Sequence, residues 1–169
     1  MNIVLIGFMG SGKSTLGKKM AHLLELPFYD LDEYIERREN KTLSEIFTTE
    51  GEPAFREKEA KYLKQLLLEE PYAVIALGGG TVCFNELLEF VKSKGILIYL
   101  YLPATALIQR LNTNKNTRPL IKDLDDSRLQ EFVNATLQTR SVFYEQAHLK
   151  INSINLRLEH LINEIKSLL

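Results

Sequence analysis

Short apolar runs recur along the chain at residues 3–6, 73–77, 96–102 and 149–151, with a briefer aromatic pair at 28–29. Each is too short for a helix, and amphipathic stretches of helical period separate them. Strands that are apolar on both faces need cover on both. The pattern therefore predicts an α/β fold of three layers, with a five-stranded parallel sheet flanked by helices.

Polar residues mark where those helices begin and end. Thr42-Leu43-Ser44-Glu45 has the spacing of a capping box, in which the threonine hydroxyl and the glutamate carboxylate each accept from the other's backbone N–H. Gly51 is placed to end that helix and Pro53 to open the next. Asn85 and Ser127 are expected as further N-caps. Leu158, Leu161, Ile162, Ile165 and Leu169 fall on one face of the last helix and read as a core stripe. No repeat or linker interrupts the pattern. The one long aperiodic stretch is 112–126, and a loop of that length within a compact domain is usually functional, so a mobile lid is expected there.

A chain of 169 residues suits one domain with a proper core. Hydrophobic residues make up 45% and charged residues 25%, which leaves no compositional case for disorder. Lys and Arg total 21 against 22 for Asp and Glu, so no net field draws in nucleic acid or an anionic membrane. Any anion must be held locally. The single cysteine, Cys83, cannot form an internal disulfide, and no apolar run approaches the roughly 18 residues of a membrane span. The N-terminus runs into a glycine loop rather than a signal sequence. A cytoplasmic monomer is the expectation.

That loop is Gly7-Phe8-Met9-Gly10-Ser11-Gly12-Lys13-Ser14, a full match to G-x-x-x-x-G-K-[ST], followed by Thr15 and an amphipathic helix. The glycines let successive N–H groups turn inward, and the helix that follows adds its N-terminal partial charge, so Gly10, Ser11, Gly12, Lys13, Ser14 and Thr15 are expected to cradle a nucleotide polyphosphate. Lys13 would reach the β- and γ-phosphates, and the Ser14 hydroxyl would ligate Mg²⁺. A glycine turn matching by chance is the alternative, and the strand before and helix after argue against it. A GTPase is also disfavoured: Asn114-Lys115-Asn116-Thr117 lacks the acid of the guanine motif, and no Asp is followed by Gly three places later.

The runs at 73–77 and 96–102 do not end in an acid, so the carboxylates for a metal and an acceptor must come from elsewhere. In Phe28-Tyr29-Asp30-Leu31-Asp32, strand alternation points both acids the same way, toward the edge where α/β sheets bind ligands. Alternatively, Asp32 only caps the helix beginning Glu33-Tyr34-Ile35.

With these residues in place, the chain resembles the shikimate kinase family. Gly51-Glu52-Pro53-Ala54-Phe55-Arg56-Glu57-Lys58-Glu59 is similar to the family's G-E-x-x-F-R-x-x-E, and Gly78-Gly79-Gly80 follows. Arg118-Pro119-Leu120-Ile121 looks like the lid's R-P-L-L, and Arg140 through Tyr144 and Ala147 match R-x-x-x-Y-x-x-A. The ordered set spans residues 7 to 147. The resemblance implies that Asp32, Arg56, Gly78, Gly79, Gly80 and Arg140 hold shikimate within a region that includes helical residues 32–60, with Asp32 against the reacting hydroxyl. It implies Ser14 and Asp30 for Mg²⁺, Arg118 on the ATP phosphates and Arg110 packed on adenine.

The residue chemistry is compatible with this, since guanidinium groups suit planar carboxylates and glycines let a backbone approach a ligand. Blander accounts also stand: an ion pair of Arg56 with Glu52 or Glu59, a dipole role for Arg140, and a plain tight turn at the glycines. The expected activity is ATP-dependent phosphorylation of the shikimate 3-hydroxyl, with Lys13, Asp32 and Arg118 catalytic. Its rivals are another small-metabolite kinase, acting on gluconate or a nucleoside monophosphate, and a nucleotide-binding module without turnover.

Overall fold

The computed structural model describes residues 1–84, 86–113 and 120–168. Five strands, β1 (Asn2–Ile6), β2 (Phe28–Asp30), β3 (Val74–Ala76), β4 (Gly95–Tyr101) and β5 (Leu149–Asn152), form one parallel sheet in the order β2-β3-β1-β4-β5. All five expected strands are present, and each boundary falls within one residue of the apolar run that announces it.

The central strand is buried on both faces. Val4 and Ile6 point into one core with Leu31, Ile35, Leu63, Leu66 and Val91, while Ile3 and Leu5 point into another with Leu16, Met20, Leu161 and Ile165. This alternation of period 2 is why helices must cover both sides. Helices α2 (Leu31–Glu39), α3 (Leu43–Glu69) and α4 (Leu87–Lys94) supply the first cover. The second comes from α1 (Lys13–Leu24), with α7 (Leu158–Leu168) beside it. A third cluster joins α5 (Ala104–Thr113) and α6 (Asp126–Tyr144) through Leu107, Leu111, Leu129 and Val133, with Phe8 and Ile121 inserted between them.

The caps follow local chemistry with two changes. Thr42 and Glu45 form the expected capping box. Gly51, at φ 84 and ψ 170, interrupts α3 as expected, and Pro53 stands in the first turn beyond it. Lys58, past the kink, pairs with Glu39 of α2 at 2.5 Å and with Glu50 before the kink at 3.2 Å, so ion pairs span the bend. At α6 the cap is Asp125, whose carboxylate accepts from the Arg128 N–H at 2.8 Å; Ser127 lies inside the first turn. Both residue types cap well, and the extended backbone at Asp125 (φ −71, ψ 174) decides between them. Asn85 lies outside the described residues, and Glu86 holds the position before α4.

Gly95 opens β4 opposite Asn2, where an added methyl would come within 2.4 Å of the Asn2 carbonyl oxygen. Backbone at the sheet centre cannot yield as a side chain can. Gly95→Ala is expected to destabilise the fold by about 1–3 kcal/mol, read as a lower denaturant midpoint in urea unfolding. An unchanged midpoint would show that β1 and β4 can spread.

Candidate active site

Parallel strands place their C-terminal ends at one edge of the sheet, and the loops after β1, β2 and β3 converge there. The loop after β1 turns through Gly7, Gly10 and Gly12 at positive φ, and Gly12 is the left-handed N-cap of α1. Gly7 has a second constraint, since a Cβ there would lie 2.6 Å from the Leu100 carbonyl oxygen. Lys13 donates from Nζ to the Gly7 and Phe8 carbonyls at 2.8 and 3.0 Å, which holds the ammonium over its own loop. Arg110 reaches across from α5 and donates to the Gly10 and Ser11 carbonyls at 3.3 and 3.4 Å.

Asp30 connects two elements. It accepts from the Ser14 hydroxyl at 2.6 Å through Oδ2, and from the Asp32 backbone N–H at 3.2 Å through Oδ1. The cap of α2 is thus Asp30, not Asp32. The strand also ends at Asp30, so the two acids are not alternate strand residues; capping bends the chain into α2 at once. Both nevertheless line one cleft of about 460 Å³ with Gly10, Gly12, Lys13, Ser14, Thr15, Gly78, Gly79 and Arg110. A hydroxyl beside a carboxylate is an oxygen donor set suited to a hard divalent cation.

A second cavity of about 280 Å³ adjoins the first, and Met9, Asp32, Gly78 and Gly79 line both. Two guanidinium groups converge in it. A methyl on Gly80 would lie 3.0 Å from Arg56 Nη2 and 3.3 Å from Arg140 Nη2, and one on Gly79 would lie 3.2 Å from Arg140 Nη1. Side chains at either glycine would push on the arginines. Leu43, Phe47, Phe55 and Leu120 form the apolar part of the wall. Arg56 also makes the ion pairs that its helical spacing suggests, with Glu52 at 3.2 Å and Glu59 at 2.8 Å, but its side chain is only 15% exposed and Glu59 only 1%. Beyond the phosphate loop, a side cavity of about 350 Å³ is lined by Arg110, Leu16, Leu100, Leu156 and Leu158.

Every sequence-predicted site residue that is described therefore falls at this edge. Arg118 lies outside the described residues, as do residues 114–117 and Pro119, so the expected lid is described only at its two ends. Three further residues hold the site together: Glu59, named from the sequence only as an ion-pair partner of Arg56; Tyr144, a motif residue given no role; and Thr81, which follows the triple glycine outside every motif. The Tyr144 hydroxyl donates to the Gly79 carbonyl oxygen, and the Thr81 hydroxyl donates to Glu59. Glu59 had a signal, because it shares an apolar helical stripe with Phe55, Tyr62, Leu63 and Leu66, where a charge needs a buried partner.

Fold and phosphate loop together define a P-loop kinase. The shikimate kinase family model matches residues 9–169. A shikimate kinase of Bacteroides thetaiotaomicron is 38% identical, with 100% of this chain and 98% of that protein aligned. A 1.7 Å crystal structure of shikimate kinase from Bacteroides thetaiotaomicron, 38% identical, superposes with a TM-score of 0.89, covering 99% of this chain and 97% of that one. The shikimate kinase from Acinetobacter baumannii, solved in complex with shikimate, is 36% identical with a TM-score of 0.84 over 99% and 91%. The chain belongs to the shikimate kinase family.

Burial, with Asp30 and Glu59 nearby, pushes the Asp32 carboxyl from its ordinary 3.8 up to about 6, against the opposing pull of Lys13. The folded protein therefore binds this proton more tightly than the unfolded chain. The stabilising contribution is fully present below about pH 3.8 and is lost as pH rises through about 6. Asp32→Asn, which never ionises, is expected to melt several degrees above the parent at pH 7.5, with the gap shrinking toward pH 4. Melting curves at the two pH values test this, and a gap of equal size at both would rule out a strained Asp32 carboxylate.

Proposed function

We propose that this protein transfers the γ-phosphoryl group of ATP to the 3-hydroxyl of shikimate, giving shikimate 3-phosphate and ADP. The observation that carries the reading is the pair of adjoining cavities that share Asp32, Gly78 and Gly79. One has a phosphate loop and the other has two convergent guanidinium groups, so a phosphoryl donor and a small carboxylate acceptor would meet at Asp32. Membership in the family supports the same pairing of substrates.

In this reading the triphosphate lies along the loop N–H groups and the N-terminus of α1. Lys13 leaves its two carbonyl partners for the β- and γ-phosphates. Ser14 and Asp30 hold Mg²⁺, which supplies positive charge to the phosphate oxygens when bound. Adenine occupies the side cavity, with Arg110 against it. The acceptor's carboxylate lies across Arg56 and Arg140 in two-point contact, and Gly79 and Gly80 leave room for its ring. That orients the hydroxyl at Asp32 in line with the γ-phosphorus.

Chemistry then needs one bond formed and one broken. The acceptor oxygen bonds to phosphorus as the bond from phosphorus to the ADP oxygen breaks, and Asp32 accepts the hydroxyl proton. A carboxylate whose affinity for protons is raised by burial is a stronger base than a solvated one. Lys13 stabilises charge on the transferring group, and the resemblance to the family implies that Arg118 would join it from a lid over 112–126 that would exclude water. The protein works as a monomer.

A coupled assay of ADP release with a panel of acceptors separates this activity from its rivals. Shikimate should stimulate turnover; stimulation by gluconate or a nucleoside monophosphate instead would move the protein to another substrate class, and no stimulation by any acceptor would make it a binding module. Lys13→Ala should lose nearly all transfer while its melting temperature holds. Asp32→Asn should lower turnover about a hundredfold or more, the scale of a positioned general base, and wild-type turnover should fall as pH drops below about 6. Near-normal turnover in the Asn variant would remove Asp32 from the chemistry. Arg118→Ala should reduce turnover more than it raises the shikimate KM; the reverse would make Arg118 an acceptor-binding residue.

A further inference from the structure

The proposed transfer gives no task to a buried hydroxyl beside the acceptor cavity. Thr81 stands directly after Gly78-Gly79-Gly80 in the 3₁₀ turn Thr81–Cys83 and is 0% exposed. Its Oγ1 donates to Glu59 Oε1 at 2.6 Å, while Glu59 Oε2 accepts from Arg56 Nη1 at 2.8 Å. With one oxygen on a fixed hydroxyl and the other on a guanidinium, the carboxylate cannot rotate without breaking a buried bond. Thr81 is itself fixed, since its N–H donates to the Gly78 carbonyl at 3.2 Å and its β-branched side chain is stiff at χ1.

Arg56 has other neighbours: its Nε and Nη2 both donate to Glu52 Oε1, at 3.3 and 3.2 Å. Glu52 is 60% exposed, and such a pair is weak in water. Phe84 lies 4.4 Å from the guanidinium carbon, which supports the plane of the group without setting its rotation. Glu59, 1% exposed, is the buried one of the two carboxylate partners of Arg56 among the described residues. At Gly78 the chain of groups closes: a methyl there would lie 3.0 Å from Thr81 Oγ1, 3.1 Å from Glu59 Oε1 and 3.3 Å from Asp32 Oδ1.

We infer that Thr81 is a positioning residue for acceptor recognition: its hydroxyl, acting through Glu59, holds the Arg56 guanidinium facing Gly80 in the orientation that receives the acceptor's carboxylate. This rests on the reading of that cavity as the shikimate site. Thr81 touches neither substrate. Its effect is on binding, and it belongs to the acceptor side alone.

Thr81→Val keeps the shape and removes the donor. The shikimate KM should rise roughly tenfold, the scale of one hydrogen bond to a charged group, while kcat and the ATP KM stay within about twofold. Thr81→Ser, which restores the hydroxyl, should restore the KM. In an Arg56→Ala background the Thr81→Val change should have no further effect on the shikimate KM, because the path through Arg56 is gone. An unchanged shikimate KM in folded Thr81→Val would overturn the inference. So would an equal rise in the ATP KM, or an undiminished effect in the Arg56→Ala background. If valine prevents folding, Thr81→Ala is read against the same outcomes. Wild-type protein inert toward shikimate would instead undo the substrate assignment, a result visible before any variant is made.

Discussion

The central strand β1 has no polar face, because its side chains enter one core or the other in turn. A strand in that position can be followed only by a chain that leaves the sheet at its C-terminal edge, and Gly7 leaves within van der Waals reach of the Leu100 carbonyl on β4. The phosphate loop is thus held between β1 and β4 by backbone packing. Its glycines provide the angles, but the double burial of β1 fixes where those angles are used. The ends of β2 and β3 follow from the same register, which pairs Asp30 with Ala76 and Leu5 with Ala76. Asp30 and the triple glycine consequently reach the loop from one side.

Charge at the site is arranged as a group of acids between cations on either side. Lys13 lies over its own loop, Asp30 and Asp32 lie beyond it, Glu59 comes next, and Arg56 and Arg140 stand at the far wall. Asp32, between an ammonium and two other carboxylates, feels opposing influences, with burial the largest of them. A phosphate entering on one side and a carboxylate on the other would each meet cations. The acids between them would be left to handle a proton and a metal.

Much of the fold was legible because its signals are local. Five apolar runs, a capping box and Gly51 with Pro53 each need only neighbouring residues to be understood, and the phosphate loop is one contiguous motif. What the sequence hid depends on where one element stops. Whether Asp30 or Asp32 caps α2 turns on the last residue of β2, and Asp125 and Ser127 differ only in which has extended backbone. The convergence of Arg56 and Arg140, 84 positions apart, came from family resemblance, since no periodicity joins α3 to α6. Thr81 and Glu59 were visible as residues but not as partners, because their bond crosses between a helix and a turn.

The kink at Gly51 divides the acceptor wall into two kinds of surface. Leu43 and Phe47 stand before it, and Phe55, Arg56 and Glu59 stand after it, joined by Lys58 and its acidic partners. Phe47 and Phe55 meet across the bend with ring centroids 4.4 Å apart, so the two rods of α3 share one apolar wall and only the second adds charge to it. A change of volume at Phe47 would press on Phe55 and, one residue on, on the guanidinium of Arg56. The bend thus works as a mechanical joint, passing a change in the contour of one rod to the charged rod beyond it.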